Sequence, residues 1–238
     1  MIPEGFSVFI FTGGLGSGKT EIAANFSLKL AGRGGNGPVH LVDLDIVKPY
    51  FRSRHLAAEL EATAVKLVAP PAPYLHADLP LVPPEVRAIL ASGTSKVVLD
   101  VGGDDVGARV LGCFQDELSR RAHRLYYVVN ISRPLAKERA EILSMMRDIE
   151  GSSGLRITGI VNNTHLMGET TPEIVLEGAR TARALAAEIG VPLAFHCIKE
   201  DMVEPPLEEP VFKLRLYFHQ YFESRQGGKR YAINRGGC

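Results

Sequence analysis

No stretch of this chain reaches the ~20 consecutive apolar residues that a membrane helix needs, and its N-terminus lacks a basic region followed by an apolar cleavage segment. The expectation is a soluble cytoplasmic protein. An excess of charge of one sign is also missing: 27 basic side chains balance 27 acidic ones, so no global field draws the chain toward nucleic acid or an anionic membrane. Cysteine is scarce. Cys113, Cys197 and Cys238 are widely spaced with no Cys-x-x-Cys pair, which points away from a disulfide framework and from a zinc or iron–sulfur knuckle. No linker divides the 238 residues, of which 45% are hydrophobic. That content suits one core, a single domain over residues 1–225 followed by a glycine-containing tail, 226–238.

What is abundant is glycine in one place. Residues 13–20 read Gly-Gly-Leu-Gly-Ser-Gly-Lys-Thr and fill every fixed position of G-x-x-x-x-G-K-[ST]. Such a loop wraps phosphates with backbone N–H groups, and side chains at these positions would block the approach. Lys19 brings a positive charge to the outer phosphates, Thr20 a hydroxyl for Mg²⁺, and the helix beginning here aims its N-terminal dipole at the anion. The flanks agree: Ser7–Phe11 is a short apolar β-run, and the residues from Glu21 to about Ala31 form a helical pattern. The alternative is a glycine-rich turn that fits the pattern by chance.

Further strands are expected at 39–43, 65–68, 96–100, 125–129, 157–161 and 192–196, with helical patterns at 84–91, 107–121, 135–149 and 172–189. Near-continuous apolar strands alternating with amphipathic helices imply an α/β fold, a doubly wound, mostly parallel sheet flanked by helices in three layers. Ligands in such sheets sit at the carboxyl ends of the strands. The proline-rich stretch 69–74 reads as a surface loop.

The fourth strand closes on Asp100-Val101-Gly102-Gly103-Asp104-Asp105. Asp100 suits the Mg²⁺ shell of a bound triphosphate, and Gly103 permits the backbone to approach the γ-phosphate. A helix-capping carboxylate is the other reading of Asp100, although Asp104 and Asp105 suit that role better. The second strand ends in Asp43-Leu44-Asp45, where the two carboxylates either serve the site or simply alternate across the strand end.

Asp-x-Asp after the second strand, Asp-x-x-Gly after the fourth and the glycine-rich phosphate loop together resemble the MinD/ParA/CobQ class of P-loop ATPases. The resemblance spans residues 6–220 by element order. It implies Mg·ATP as ligand, slow hydrolysis, and Asp45 near Mg²⁺ placing the attacking water. Gly14 stands where many members of the class carry a lysine that reaches across a dimer, so their sandwich dimer is not implied; another kind of homodimer is left open. In GTPases of related fold the place after the sixth strand holds Asn-Lys-x-Asp. Here Asn162-Asn163-Thr164-His165 would put His165 where the Asp accepts guanine donors, which a neutral imidazole cannot reproduce. In the MinD-like ATPases a lone Asn at this strand end bonds adenine, a role for Asn162 or Asn163. An Asx-turn is the alternative.

The nucleotide contacts, for ATP or ADP, are thus assigned to Gly14, Leu15, Gly16, Ser17, Gly18, Lys19, Thr20, Glu21, Gly103 and Asn162 or Asn163, with Ile198 and Lys199 in a loop lining the base. Mg²⁺ falls to Thr20, Asp45 and Asp100, and catalysis to Lys19 and Asp45. Arg133 reads either as a surface residue or as a contact to phosphate or a substrate carboxylate. Residues 48–54 read as a γ-phosphate-sensing switch, a surface for an acidic partner, or a plain helix start. A protein partner of the switch is expected. Other readings are a GTP-dependent metallochaperone, a ligase resembling dethiobiotin synthetase, and a non-enzymatic nucleotide sensor.

Overall fold

A computed structural model describes residues 2–34, 37–45, 60–69, 82–133 and 138–218. The candidate switch at 48–54, the loop at 70–80 and the tail at 226–238 lie outside the described residues.

Eight strands form one sheet: β1 (Val8–Thr12), β2 (Val39–Asp43), β3 (Val65–Val68), β4 (Lys96–Asp100), β5 (His123–Val129), β6 (Gly159–Asn162), β7 (Leu193–Lys199) and β8 (Val211–Leu214). Their spatial order is β3-β2-β4-β1-β5-β6-β7-β8, and every pairing is parallel. The helices are α1 (Lys19–Gly32), α2 (Glu85–Ser92), α3 (Asp105–Gly112), α4 (Gln115–Ser119), α5 (Arg139–Ser153) and α6 (Pro172–Ile189). None of them is long and apolar enough to cross a membrane.

Alternation along the central strands sorts their side chains between two cores. Phe9, Phe11, Leu41, Val98 and Val128 pack with α1, whose Phe26 lies 4.9 Å from Phe9 and 5.2 Å from Phe11 between ring centroids. Val8, Ile10, Val42, Leu99 and Val129 meet residues from α2, α3, α5 and α6 on the opposite face. The expected three-layer α/β architecture is therefore present, with all strands parallel. The chain leaves β1 for the face covered by α1 and leaves β4 for the other face. The sheet thus has its topological switch point between β1 and β4, the place where ligands bind in folds of this kind.

Several boundaries differ from the sequence reading. The pattern at 107–121 is two helices, because the first ends at Gly112, where an added Cβ would lie 2.8 Å from the Ser152 carbonyl of α5. Helix α5 runs on to Ser153 and stops at Gly154 in the left-handed conformation, φ 67°. Helix α6 keeps its expected ends, with Pro172 in its first turn, Thr171 capping the Ile174 N–H and Gly190 closing it. Strand β8 was not anticipated. It gives β7 a parallel partner and so extends β7 through Cys197–Lys199.

The edge beyond β7 is secured by charge. Glu209 accepts two hydrogen bonds from Arg183 of α6, at 2.8 and 2.7 Å, and one from Nε2 of the fully buried His196, at 2.8 Å. Those donors, Arg183 foremost, hold the Glu209 carboxyl down at about 2, and Glu208 also stands 3.7 Å from Arg183. The folded-state value lies below the ordinary one, so the contribution is complete above about pH 4.5 and is lost as pH falls toward 2. Replacement Glu209→Gln should cost about 1–2 kcal/mol at pH 7, Arg183 being partly solvated, and should flatten the acid limb of stability. Urea unfolding between pH 2.5 and 7 checks this; an unaltered acid limb contradicts it.

Candidate functional site

The phosphate loop follows β1 at this switch point, and its glycines have identifiable causes. Gly13 has φ 142°, and a Cβ there would sit 2.3 Å from the Val128 carbonyl of β5. Gly103, in the loop after β4, touches the same turn from the other side: its Cβ would fall 1.7 Å from the Gly13 carbonyl oxygen and 3.2 Å from the Gly14 nitrogen. The loop therefore threads between the ends of β4 and β5 as bare backbone. Gly18 caps α1 in the left-handed conformation, φ 87°. A side chain there would meet Asn163 Nδ2 at 2.3 Å.

Inside the loop the polar groups are fixed. Lys19 is buried, and its Nζ donates to the Gly14 carbonyl at 3.3 Å. The Ser17 N–H donates to the same carbonyl at 3.1 Å. The Gly14 N–H bonds the phenol oxygen of Tyr127, whose burial raises its ionisation well above the usual tyrosine range. In this structure the Gly14 and Ser17 amides, both assigned to phosphate, are engaged within the protein. Leu15 projects outward.

The strand-end carboxylates assemble beside this loop. Asp43 and Asp100 are register partners on adjacent strands, and Asp100 also pairs with Phe11 of β1. By alternation both lie on the face that α1 covers, and both are buried. Asp43 Oδ1 accepts the Asp45 N–H at 3.2 Å, so Asp43 shapes the turn that presents Asp45. A Cβ on Gly102 would lie 3.3 Å from Oδ1 of both Asp45 and Asp104. Asp45 therefore reaches the loop after β4, next to the glycine in contact with Gly13. Asp104 caps α3 by accepting from the Gly107 N–H at 2.8 Å, as expected of it.

The other assigned residues have partners of their own. Asn162 is fully buried: its Nδ2 donates to the Val175 carbonyl and meets His196 Nδ1 at 3.1 Å, while its Oδ1 accepts from the Thr164 N–H. Asn163 is the one that meets the loop, donating to the Ser17 carbonyl at 2.7 Å. The Glu21 side chain is bonded to backbone from the far end of the fold. Its carboxylate accepts the Tyr217 and Phe218 N–H groups at 2.6 and 3.2 Å, which ties the segment after β8 to the first turn of α1. Ile198 and Lys199 are strand residues whose backbone runs beside β8, and Lys199 pairs with Asp201 at 2.8 Å; the loop lies beyond them. His196 and Cys197 face opposite ways, the histidine toward Glu209 and the buried thiol into the α1-side core. Arg133 is the residue the sequence underrated: its Nε donates to the Gly16 carbonyl at 3.0 Å.

Among known proteins, no family model matches the chain and no curated sequence matches it. Solved structures do. The chain is similar to the Signal Recognition Particle 54 kDa protein of Aeropyrum pernix K1 in complex with GDP, with TM-score 0.53 and 20% identity over 96% of this chain and 47% of that one. It is also similar to the cell division protein FtsY of Thermotoga maritima, with TM-score 0.53 and 17% identity over 84% and 64% of the two chains. FtsY of Mycoplasma mycoides gives 0.51 and 13% over 81% and 60%. The chain thus spans between about half and two thirds of the length of these structures. These likenesses define the fold as that of the P-loop nucleoside triphosphatases.

The Gly13–Gly103 contact leaves no room for a methyl group. Gly103→Ala should lower stability by about 3 kcal/mol or more, since backbone has to move. Gly102→Ala, whose Cβ would meet side-chain oxygens at 3.3 Å, should cost less than half as much. Equal unfolding midpoints for the two variants in urea would contradict this reading of the site.

Proposed function

We propose that the chain binds Mg·ATP and hydrolyses it slowly, as a nucleotide-dependent switch of the MinD/ParA/CobQ type. The observation that carries the reading is the bare-backbone contact of Gly103 with Gly13 and Gly14, which sets the carboxylate-bearing end of β4 directly against the phosphate loop.

Lys19 supplies the charge that meets the outer phosphates; to reach them its ammonium exchanges the Gly14 carbonyl for phosphate oxygen. The donor set beside the loop is all oxygen, the Thr20 hydroxyl with the Asp100 and Asp45 carboxylates, and it fits a hard cation such as Mg²⁺. When bound, that cation neutralises charge on the phosphates. Asp45, held by Asp43 and facing the Gly102 turn, accepts from a water and keeps it in line with the γ-phosphate. Catalysis here is positioning and electrostatics. Adenine is preferred to guanine because the turn Asn163–Leu166 carries no carboxylate to accept a pair of guanine N–H donors. Asn163 serves this end of the site by fixing the turn to the loop. The use of Arg133 within the loop disfavours the synthetase reading, which needs it for an acceptor carboxylate. The switch is read by a partner protein or by a second copy of the chain.

Lys19→Ala should abolish ATP binding in calorimetry, and unchanged affinity would remove the assignment. Asp45→Ala should keep binding within about threefold and reduce turnover at least about a hundredfold; wild-type turnover would retire its role. ATP should displace a fluorescent nucleotide at lower concentration than GTP, and the opposite order would reverse the base preference.

A further inference from the structure

Two consecutive carbonyls of the phosphate loop are held by side chains from two different strand ends. The Gly16 oxygen accepts from Arg133 Nε at 3.0 Å, and the Ser17 oxygen from Asn163 Nδ2 at 2.7 Å. A carbonyl fixed outward turns the N–H of the same peptide the other way: with the Ser17 oxygen held, the Gly18 N–H is turned as in a nest for an anion, while the Ser17 N–H is taken by the Gly14 carbonyl. Arg133 also explains the residue it grips. Its Nε, Cδ and Cγ lie 3.2, 3.3 and 3.7 Å from where a Cβ on Gly16 would stand. The arginine stem therefore packs flat on the loop at a point that has no side chain.

The same guanidinium extends to the turn after β6, where its second terminal nitrogen stands 3.5 Å from His165 Nε2. His165 Nδ1 meets the Asn163 carbonyl at 2.7 Å. A carbonyl only accepts, so the shorter contact calls for the ring proton on Nδ1 and leaves Nε2 as an acceptor facing Arg133; the Asn130 amide nitrogen, 3.2 Å from the same Nδ1, then donates to the His165 carbonyl at 3.4 Å. Burial, followed by the charge of Arg133, lowers the ionisation of His165 and keeps the ring neutral. The contacts form a circuit: Gly16 to Arg133, Arg133 to His165, His165 to Asn163, Asn163 to Ser17.

We propose that Arg133 is a positioning residue that couples the base-side turn at His165 to the phosphate loop, so that ordering one orders the other. This rests on the nucleotide reading above. The planar guanidinium is required, because it presents donors to the carbonyl and the imidazole from one rigid plane; a lysine has a single ammonium point. Arg133 acts on the shape of the cradle and not on the reacting phosphoryl group.

The experiment is a double-mutant cycle in the full chain, Arg133→Ala, His165→Ala and both, with ATP and with inorganic tripolyphosphate as the baseless probe, read by calorimetry and steady-state turnover. Arg133→Ala should weaken both ligands about tenfold, and His165→Ala should weaken ATP while leaving tripolyphosphate unchanged. The double variant should bind ATP no more than about twofold less tightly than Arg133→Ala alone, because one circuit is broken only once. Arg133→Lys should recover tripolyphosphate binding but not the ATP coupling, and kcat at saturating ATP should stay within about threefold throughout. Additive losses for ATP overturn the proposal, as does a fall in kcat at unchanged KM, which would make Arg133 a donor to the reacting phosphate. Additive losses in a chain whose ATP binding still depends on Lys19 overturn the coupling alone. Absence of nucleotide binding by the unaltered chain overturns the coupling and the nucleotide reading together.

Discussion

The site depends on a steric constraint: three backbone segments meet where no side chain fits. The turn at Gly13 passes between the Val128 carbonyl of β5 and the loop at Gly103 after β4. That passage is possible because both residues are glycine, and it sets the turn after β1 against the loop after β4 on one side and the backbone of β5 on the other. The Asp100 carboxylate ends β4, and the Tyr127 phenol that accepts the Gly14 N–H comes from β5. A parallel sheet brings strand ends to one edge; the glycines set how tightly those ends converge there.

A second layer of constraint is polar and acts from outside the loop. Asn163, Arg133 and Tyr127 each bond a backbone group between Gly14 and Ser17. Behind them, Asn162 links the β6 end to His196, Glu209 and Arg183, while Gly178 on α6 lets the helix approach so closely that a Cβ would meet Thr164 Oγ1 at 2.2 Å. The turn after β6 is thereby held by a helix and by the edge beyond β7 at once. Buried polar groups in this region are satisfied in series, so a change at one shifts the geometry of the next.

How much of this is legible in the sequence depends on the range of the interaction that fixes each feature. Strands β2, β3 and β4 and helix α6 have the expected ends, because apolar runs, a Thr-Pro cap and a closing glycine are local signals. Strand β8 is four residues between prolines and surface charges, and only its pairing with β7 makes it a strand. Asn162 and Asn163 are adjacent and chemically identical, and the alternation of a strand sends one into the core and the other to the loop. Arg133 looks like any exposed arginine until the fold brings Gly16 beneath it, 117 positions earlier in the chain. The carboxylates and the loop glycines were readable because their chemistry is carried by type and spacing; their partners were not, because those are chosen by the sheet order.

The tether between Glu21 and the Tyr217 and Phe218 amides, with Asn25 bonded to Arg215 across 190 positions, bears on how the chain is made. The helix that follows the phosphate loop draws part of its polar shell from residues made some 190 positions later. Its central strand faces the same delay, since β1 is completed by β4 and β5 rather than by its neighbours in sequence. Contacts of such separation slow folding. Helix α1 therefore acquires these bonds only once β8 and the segment behind it have been made.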